Sequence, residues 1–172
     1  MSVTLPESVD AWRMVSARRS FEGTLAIASL RRLSEALAST DGVVTFELDF
    51  GRDSLGTNYV DVHASAPLTL MCQRTLEPFV LPVALETRLG LISEEHDEAA
   101  LPPEYEPLLV AANGRLNPAD VIEDELLLAL PLVPVDPDSS LPDEVTSQDP
   151  PDVSDGEGRS ENPFAVLREL KK

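Results

Sequence analysis

The sequence predicts an α+β fold in which a curled antiparallel β-sheet packs with a few helices. Two long runs alternate apolar and polar residues with period two, and shorter segments carry apolar residues at helical spacing. The composition then shifts at residue 136 to an acidic tail. The expected layout is an α+β domain over residues 1–135, an acidic disordered linker over 136–161 and a short C-terminal amphipathic helix over 162–172.

The first helix is expected over 9–19, where Val9, Ala11, Trp12 and Val15 share a side and Arg13, Arg18 and Arg19 lie off it. Residues 21–25 read as a strand. A second helix follows over 29–39, with Leu30, Leu33 and Leu37 at helical spacing and Asp41-Gly42 as its stop.

From Val43 the period becomes two. Val44, Phe46, Leu48 and Phe50 face one way, while Thr45, Glu47 and Asp49 face the other. After a polar turn over 51–57, Val60, Val62, Ala64, Ala66, Leu68, Leu70 and Cys72 share one face. Asp61, His63, Ser65, Thr69 and Met71 share the opposite one. The alternation resumes at Phe79, Leu81, Val83, Leu85, Leu89 and Leu91. Two such runs joined by a few residues form an antiparallel hairpin with one buried and one polar face. Pro67, Pro78 and Pro82 cannot donate to a ladder and are expected at bulges or edges.

Residues 94–104 read as an acidic loop and 105–112 as a last strand. Asn117 suits an N-cap and Pro118 the first position of a helix over 117–130. Asp120, Glu123 and Asp124 suit its positive end. Ile122, Leu126, Ala129 and Leu130 form the expected buried stripe. Glu125 stands at the edge of that stripe, placed to pair with an Arg from the sheet or from a partner.

Residues 136–161 are rich in Pro, Asp and Ser and cannot offset their ordering entropy. Asn162-Pro163 then opens a short helix with Phe164, Leu167 and Leu170 on one side. It is too short to persist alone. The linker reaches about 30 Å, so the helix could dock on its own domain or on a partner.

The chain has 31 Asp and Glu against 13 Lys and Arg, a net charge of −18. Residues 1–40 are near neutral, with five Arg against four acidic residues. Residues 91–160 hold 18 acidic residues and two Arg, a net of −16. Such a surface repels nucleic acid at long range and suits basic partners. A local patch of Arg13, Arg18, Arg19, Arg31 and Arg32 keeps RNA contact open as the alternative. Cys72 is the only cysteine, so a reducing compartment is expected. Residues 1–10 lack the marks of a signal peptide, and no apolar stretch reaches bilayer length. The expectation is a cytoplasmic protein with no membrane partner.

The chain lacks a phosphate-cradling Gly-rich loop and a Gly-x-Ser-x-Gly elbow. His63 and His96 read as exposed side chains, and Cys72 as a small buried one rather than a nucleophile. Glu123, Asp124 and Glu125 are consecutive on a helix and point apart, which does not suit a hard cation. No catalytic residue, metal site or cofactor is expected. Partner contact is assigned to Arg74 and Phe79 at the hairpin tip, to Glu123, Asp124 and Glu125, and to Asn162, Pro163, Phe164 and Leu167. At the tip an alternative stands: Arg74 caps local carbonyls while Leu76 and Phe79 close the core.

Three blocks carry a resemblance: Leu70-Met-Cys-Gln-Arg-Thr-Leu-Glu-Pro-Phe79, Val121-Ile-Glu-Asp-Glu-Leu-Leu-Leu-Ala-Leu-Pro-Leu-Val-Pro-Val135, and Asn162-Pro-Phe-Ala-Val-Leu-Arg-Glu-Leu170. In this order they resemble the bacterial YceD family, the large ribosomal RNA subunit accumulation proteins. The Arg-rich start, the Phe-Glu-Gly strand and the segment ending at Pro107 extend the likeness over most of the chain. The resemblance implies a non-enzymatic ribosome biogenesis factor needed for synthesis, processing or stability of 23S rRNA. Joined with the charge, it suggests a basic large-subunit ribosomal protein or a pre-50S particle as partner. Direct binding of precursor 23S rRNA through the five N-terminal Arg is the alternative. An adaptor unrelated to ribosomes is a third reading. Many family members carry a second Cys three residues after the first, where Thr75 stands here. A cysteine-built zinc site therefore cannot form in this chain. A long sheet edge leaves a dimer open.

Overall fold

A computed structural model of the chain describes residues 5–140. One compact unit runs from Met1 to Ser139, and the second, Ser140–Lys172, lies outside the described residues apart from Ser140. The expected C-terminal helix, with Asn162, Pro163, Phe164 and Leu167, lies there too, as does nearly all of the expected linker.

The architecture is α+β around an open five-stranded sheet. Its strands are β2 (Ser20–Ala26), β3 (Val43–Arg52), β4 (Asn58–Met71), β5 (Pro78–Ile92) and β6 (Glu106–Leu109), in the spatial order β2-β3-β4-β5-β6. The first four are antiparallel, and β6 joins β5 in parallel, pairing Leu89–Ile92 with Glu106–Leu109. The sheet is therefore mixed rather than purely antiparallel as expected. The acidic segment is not a plain loop either. It contains a 3-10 helix, Glu95–Ala100, that belongs to the crossover a parallel neighbour requires.

Helix α1 (Ala11–Ser16) is shorter than expected because Asp10 caps it, accepting from the Arg13 N–H at 3.0 Å. Val9 and Asp10 instead form β1, paired with β7 (Arg115–Leu116). The second expected helix divides into a 3-10 turn, Ile27–Ser29, and α2 (Arg31–Ala36). The chain then leaves helical geometry, because Ala38 donates to the Thr69 carbonyl at 2.8 Å and Ser39 bridges to Thr69. Helix α3 (Pro118–Leu128) starts as expected, with the Asn117 side chain accepting from the Ala119 N–H and Pro118 in the first turn. It ends before Ala129, which is exposed rather than part of the buried stripe.

The alternation was a good guide to facing. Even residues of β3 and β4 and odd residues of β5 point inward, and Val44, Leu48, Val60, Val62 and Leu68 are fully buried. Ala11 and Val15 of α1, Leu33 of α2 and Ile122 and Leu126 of α3 complete the same core. Pro78 and Pro82 stand at an edge, and none of the three prolines interrupts the β4–β5 register with a bulge. The β4–β5 register runs unbroken from Tyr59 against Gly90 to Met71 against Pro78, and Pro67 faces Pro82. Pro78 and Pro82 lie on the part of β5 that β6 does not reach. Among the described residues no helix is long and apolar enough to cross a membrane.

Candidate functional site

The opposite face of the sheet carries no helix in its register rows and is polar. One rung crosses four strands: Glu22 opposes Glu47, Glu47 opposes His63, and His63 opposes Glu86. The neighbouring rung, Thr24, Thr45, Ser65 and Ala84, is small. Apart from Glu86, these residues line a shallow trough of about 520 Å³. Glu22 and Glu47 stand directly opposite with like charge, a destabilising arrangement in an isolated sheet. One rung further, Ser20 bonds Asp49, and Arg88 grips Asp61 through Nε at 2.6 Å and Nη2 at 2.7 Å. Arg88 also lies over the Tyr59 ring, 4.6 Å from its centre. That ring sits against Gly51, where a Cβ would approach it to 2.6 Å. Arg88 is thus committed to Asp61 and Tyr59, and among the described residues no cation pairs with Glu22, Glu47 or Glu86.

A second cluster joins α2 to α3. Helix α2 has no side-chain cap of its own. Glu123 provides one from across the core, with Oε1 accepting from the buried Leu33 N–H at 3.0 Å. Its other oxygen accepts from Arg32 Nε at 3.0 Å, and Arg32 Nη1 reaches Asp124. The two carboxylates, Asp124 foremost, raise the guanidinium pKa further. This corrects the sequence reading in one place. Glu123 is buried and holds α2, rather than complementing its own helix end in solvent. Arg32 joins that contact with about half of its side chain still exposed. Arg31 makes only an exposed contact with Glu35 at 3.7 Å. Arg13, Arg18 and Arg19 are exposed, and no ion pair engages them among the described residues.

The third cluster is at the β4–β5 tip. The turn is closed by Leu76 N–H to Cys72 O and Cys72 N–H to Glu77 O, both 2.9 Å, with Leu76 at φ 60°. The segment after α3 folds back onto it. Gln73 N–H donates to Pro134 O at 2.8 Å, and Arg74 donates to the Asp136 carbonyl at 2.9 Å and to Ser139. Arg74 therefore does cap carbonyls, but those of residues more than sixty positions away. Contacts of the compact unit continue through Ser139, past the expected end at Val135. Phe79 is half-buried, opposite Leu70.

Cys72 is fully buried at the centre of this clasp. The Thr75 hydroxyl and the Asp136 N–H, which lies 3.4 Å from the sulfur, pull its thiol down to about 6 against the effect of burial. A thiolate is the form that attacks or ligates. Here it is closed off, and neither histidine shares its surroundings. His63 lies on the other sheet face, and His96 contacts Glu94 and Asp97. The arrangement fastens the hairpin tip to the segment that follows α3.

Residues 60–171 match the family described as large ribosomal RNA subunit accumulation protein YceD. The chain belongs to the YceD family. A YceD relative, the large ribosomal RNA subunit accumulation protein of Haemophilus influenzae, is 30% identical over 176 residues, covering 99% of this chain and 98% of that one. No solved structure matches. The YceD description names an accumulation factor and no enzymatic activity. Within the YceD match lie nearly all of β4, β5, the clasp and α3, so all three clusters fall inside it wholly or in part.

The rung of Glu22, Glu47, His63 and Glu86 was missed as a site. Alternation placed Glu47 and His63 on the polar face, but only the register brings them into one row with Glu22 and Glu86, and strand register has no mark in a single sequence.

Proposed function

We propose that this protein supports accumulation of large-subunit ribosomal RNA without catalysis, by holding a basic large-subunit ribosomal protein or early particle until its RNA site forms. The family description supports the first part of this reading, and the placement of charge supports the second. The observation that carries it is the rung of Glu22, Glu47 and Glu86, exposed, on one row of the sheet and in no ion pair among the described residues. Like charges held together on an exposed face cost stability unless a partner offsets them. A cationic protein segment would do so, and a complementary field speeds its capture. The terminal Asn162, Pro163, Phe164 and Leu167 would add an apolar anchor joined to the domain through the acidic tail. The site residues are accordingly proposed in two groups, the acidic sheet face and the C-terminal segment.

Direct contact with precursor 23S rRNA through Arg13, Arg18, Arg19, Arg31 and Arg32 is the second reading. Arg13, Arg18 and Arg19, exposed and in no ion pair among the described residues, favour it. Affinity purification of the tagged protein, with and without nuclease, separates the two. The first reading expects basic ribosomal proteins that survive nuclease. It fails if bound proteins disappear together with 23S precursor, which is the outcome that RNA contact requires.

A further inference from the structure

We propose that the cleft between α3 and β6 receives one arginine or lysine side chain from a basic protein segment, its alkyl stem on apolar walls and its charged head on Glu125. The proposal rests on the partner class inferred above and adds a specific seat for it. The cleft holds about 330 Å³, and Leu89, Leu108, Val121 and Leu128 form its apolar lining. Leu128 is 75% exposed, so that wall is open to an arriving chain. Glu106, Asp124 and Glu125 supply the carboxylates.

Glu125 is the group that distinguishes this cleft from an ordinary acidic patch. Its residue surface is only 8% exposed, and no ion pair reaches it among the described residues. Its nearest polar help is the neutral Thr87 hydroxyl. Burial raises its carboxyl above the ordinary range, and the charges of Glu106 and Asp124 add to that. Asp124 is already held by Arg32 on its far side, so Glu125 and Glu106 are the carboxylates left for a ligand. A buried carboxylate without a cation is unfavourable, and an incoming cation removes that penalty. The walls favour a side chain over a hydrated metal ion, because long cationic residues lay their methylenes on apolar surface while the head stays polar. No group of three metal-ligating side chains converges among the described residues. RNA phosphate is excluded by the sign of the charge.

The test is fluorescence anisotropy with the full chain and a labelled nine-residue peptide alternating Arg and Gly, comparing Glu125→Gln, Leu128→Ser and the exposed control Glu95→Gln. Glu125→Gln is expected to weaken binding about tenfold and Leu128→Ser about threefold, with Glu95→Gln within about twofold. Equal losses for Glu125→Gln and Glu95→Gln would mean diffuse attraction and overturn the seat. Leu128→Ser alters an exposed wall, so it keeps the test valid should Glu125→Gln change the fold. In carboxyl-labelled protein the Glu125 signal should move on peptide addition, and an unmoved signal also overturns the proposal. If Glu125→Gln retains ribosomal proteins as wild type does, the seat is wrong while the holding function stands. If wild type retains none yet the peptide still singles out Glu125, the holding function fails and the seat survives.

Discussion

Glu123 and Glu125 lie two residues apart on α3, and both are buried, yet only Glu123 meets a cation. Removing Glu123 takes away the cap of α2 and leaves Arg32 with Asp124 as its one carboxylate among the described residues. Glu123→Ala should therefore destabilise the domain by about 2–3 kcal/mol, and Glu123→Gln, which can still accept from Leu33, by about 1 kcal/mol. Urea unfolding followed by circular dichroism measures both. Glu125→Gln should act in the other direction, stabilising by about 0.5–1 kcal/mol at neutral pH. The pH dependence fixes the cause. Folding raises the Glu125 pKa above its ordinary 4.5, so its penalty is absent at low pH. It grows as pH rises through the folded value. Wild type and Glu125→Gln should thus be equally stable below pH 4.5 and diverge above it. A gap that stays constant with pH would point to packing instead. The sequence marked both residues as exceptional but not their opposite conditions, because burial of a helix residue depends on what crosses it. Nothing local announces that α2 lacks a cap and lies within reach.

The hairpin of β4 and β5 was the most legible element, since fourteen and fifteen residues of alternation leave little freedom in facing. Its prolines had two meanings in the sequence, and the unbroken register selects the edge. Pro82 withholds an N–H from the stretch of β5 that no strand covers, a common defence against edge-to-edge pairing. Pro82→Val should increase self-association, visible as a larger mass in light scattering at high protein concentration. The parallel β6 was not legible, because four residues carry no mark of direction. The clasp at the hairpin tip was half legible. Arg74 stood out, but its partners lie beyond α3. The thiol of Cys72 offers a direct test of the clasp. Its thiolate absorbance should titrate near pH 6, and Thr75→Val, removing the largest cause, should move the midpoint upward. Because folding lowers this pKa from 9.0, the thiolate contribution is full above pH 9 and disappears as pH falls through about 6. A midpoint at the ordinary thiol value would dissolve the account of the clasp.

At the scale of the whole chain, charge is distributed differently in space than along the sequence. Residues 1–140 hold nine Arg against 23 Asp and Glu, a net of −14 out of −18, so the acidic excess belongs chiefly to the region containing the compact fold. Windows along the chain located it over 91–160, yet Glu22, Glu47 and Glu86 lie outside that window and meet only through the sheet register. Family membership was legible from three blocks for a different reason: it depends on residues in order, not on their positions in space. The two kinds of acidic feature should separate kinetically. Charges on an open face act mainly on encounter, whereas a desolvated contact acts mainly on escape. The triple substitution Glu22→Lys, Glu47→Lys, Glu86→Lys should slow association with a basic large-subunit ribosomal protein by about tenfold at low salt and much less at high salt. Glu125→Gln should leave the association rate nearly unchanged and speed dissociation. Deleting Asn162–Lys172 should also speed dissociation if that segment is the anchor, with the domain still folded by circular dichroism. Stopped-flow mixing across salt concentrations distinguishes the three variants. If the triple substitution leaves association unaltered at low salt, the acidic face does not guide the partner, and attraction must come from elsewhere on the chain.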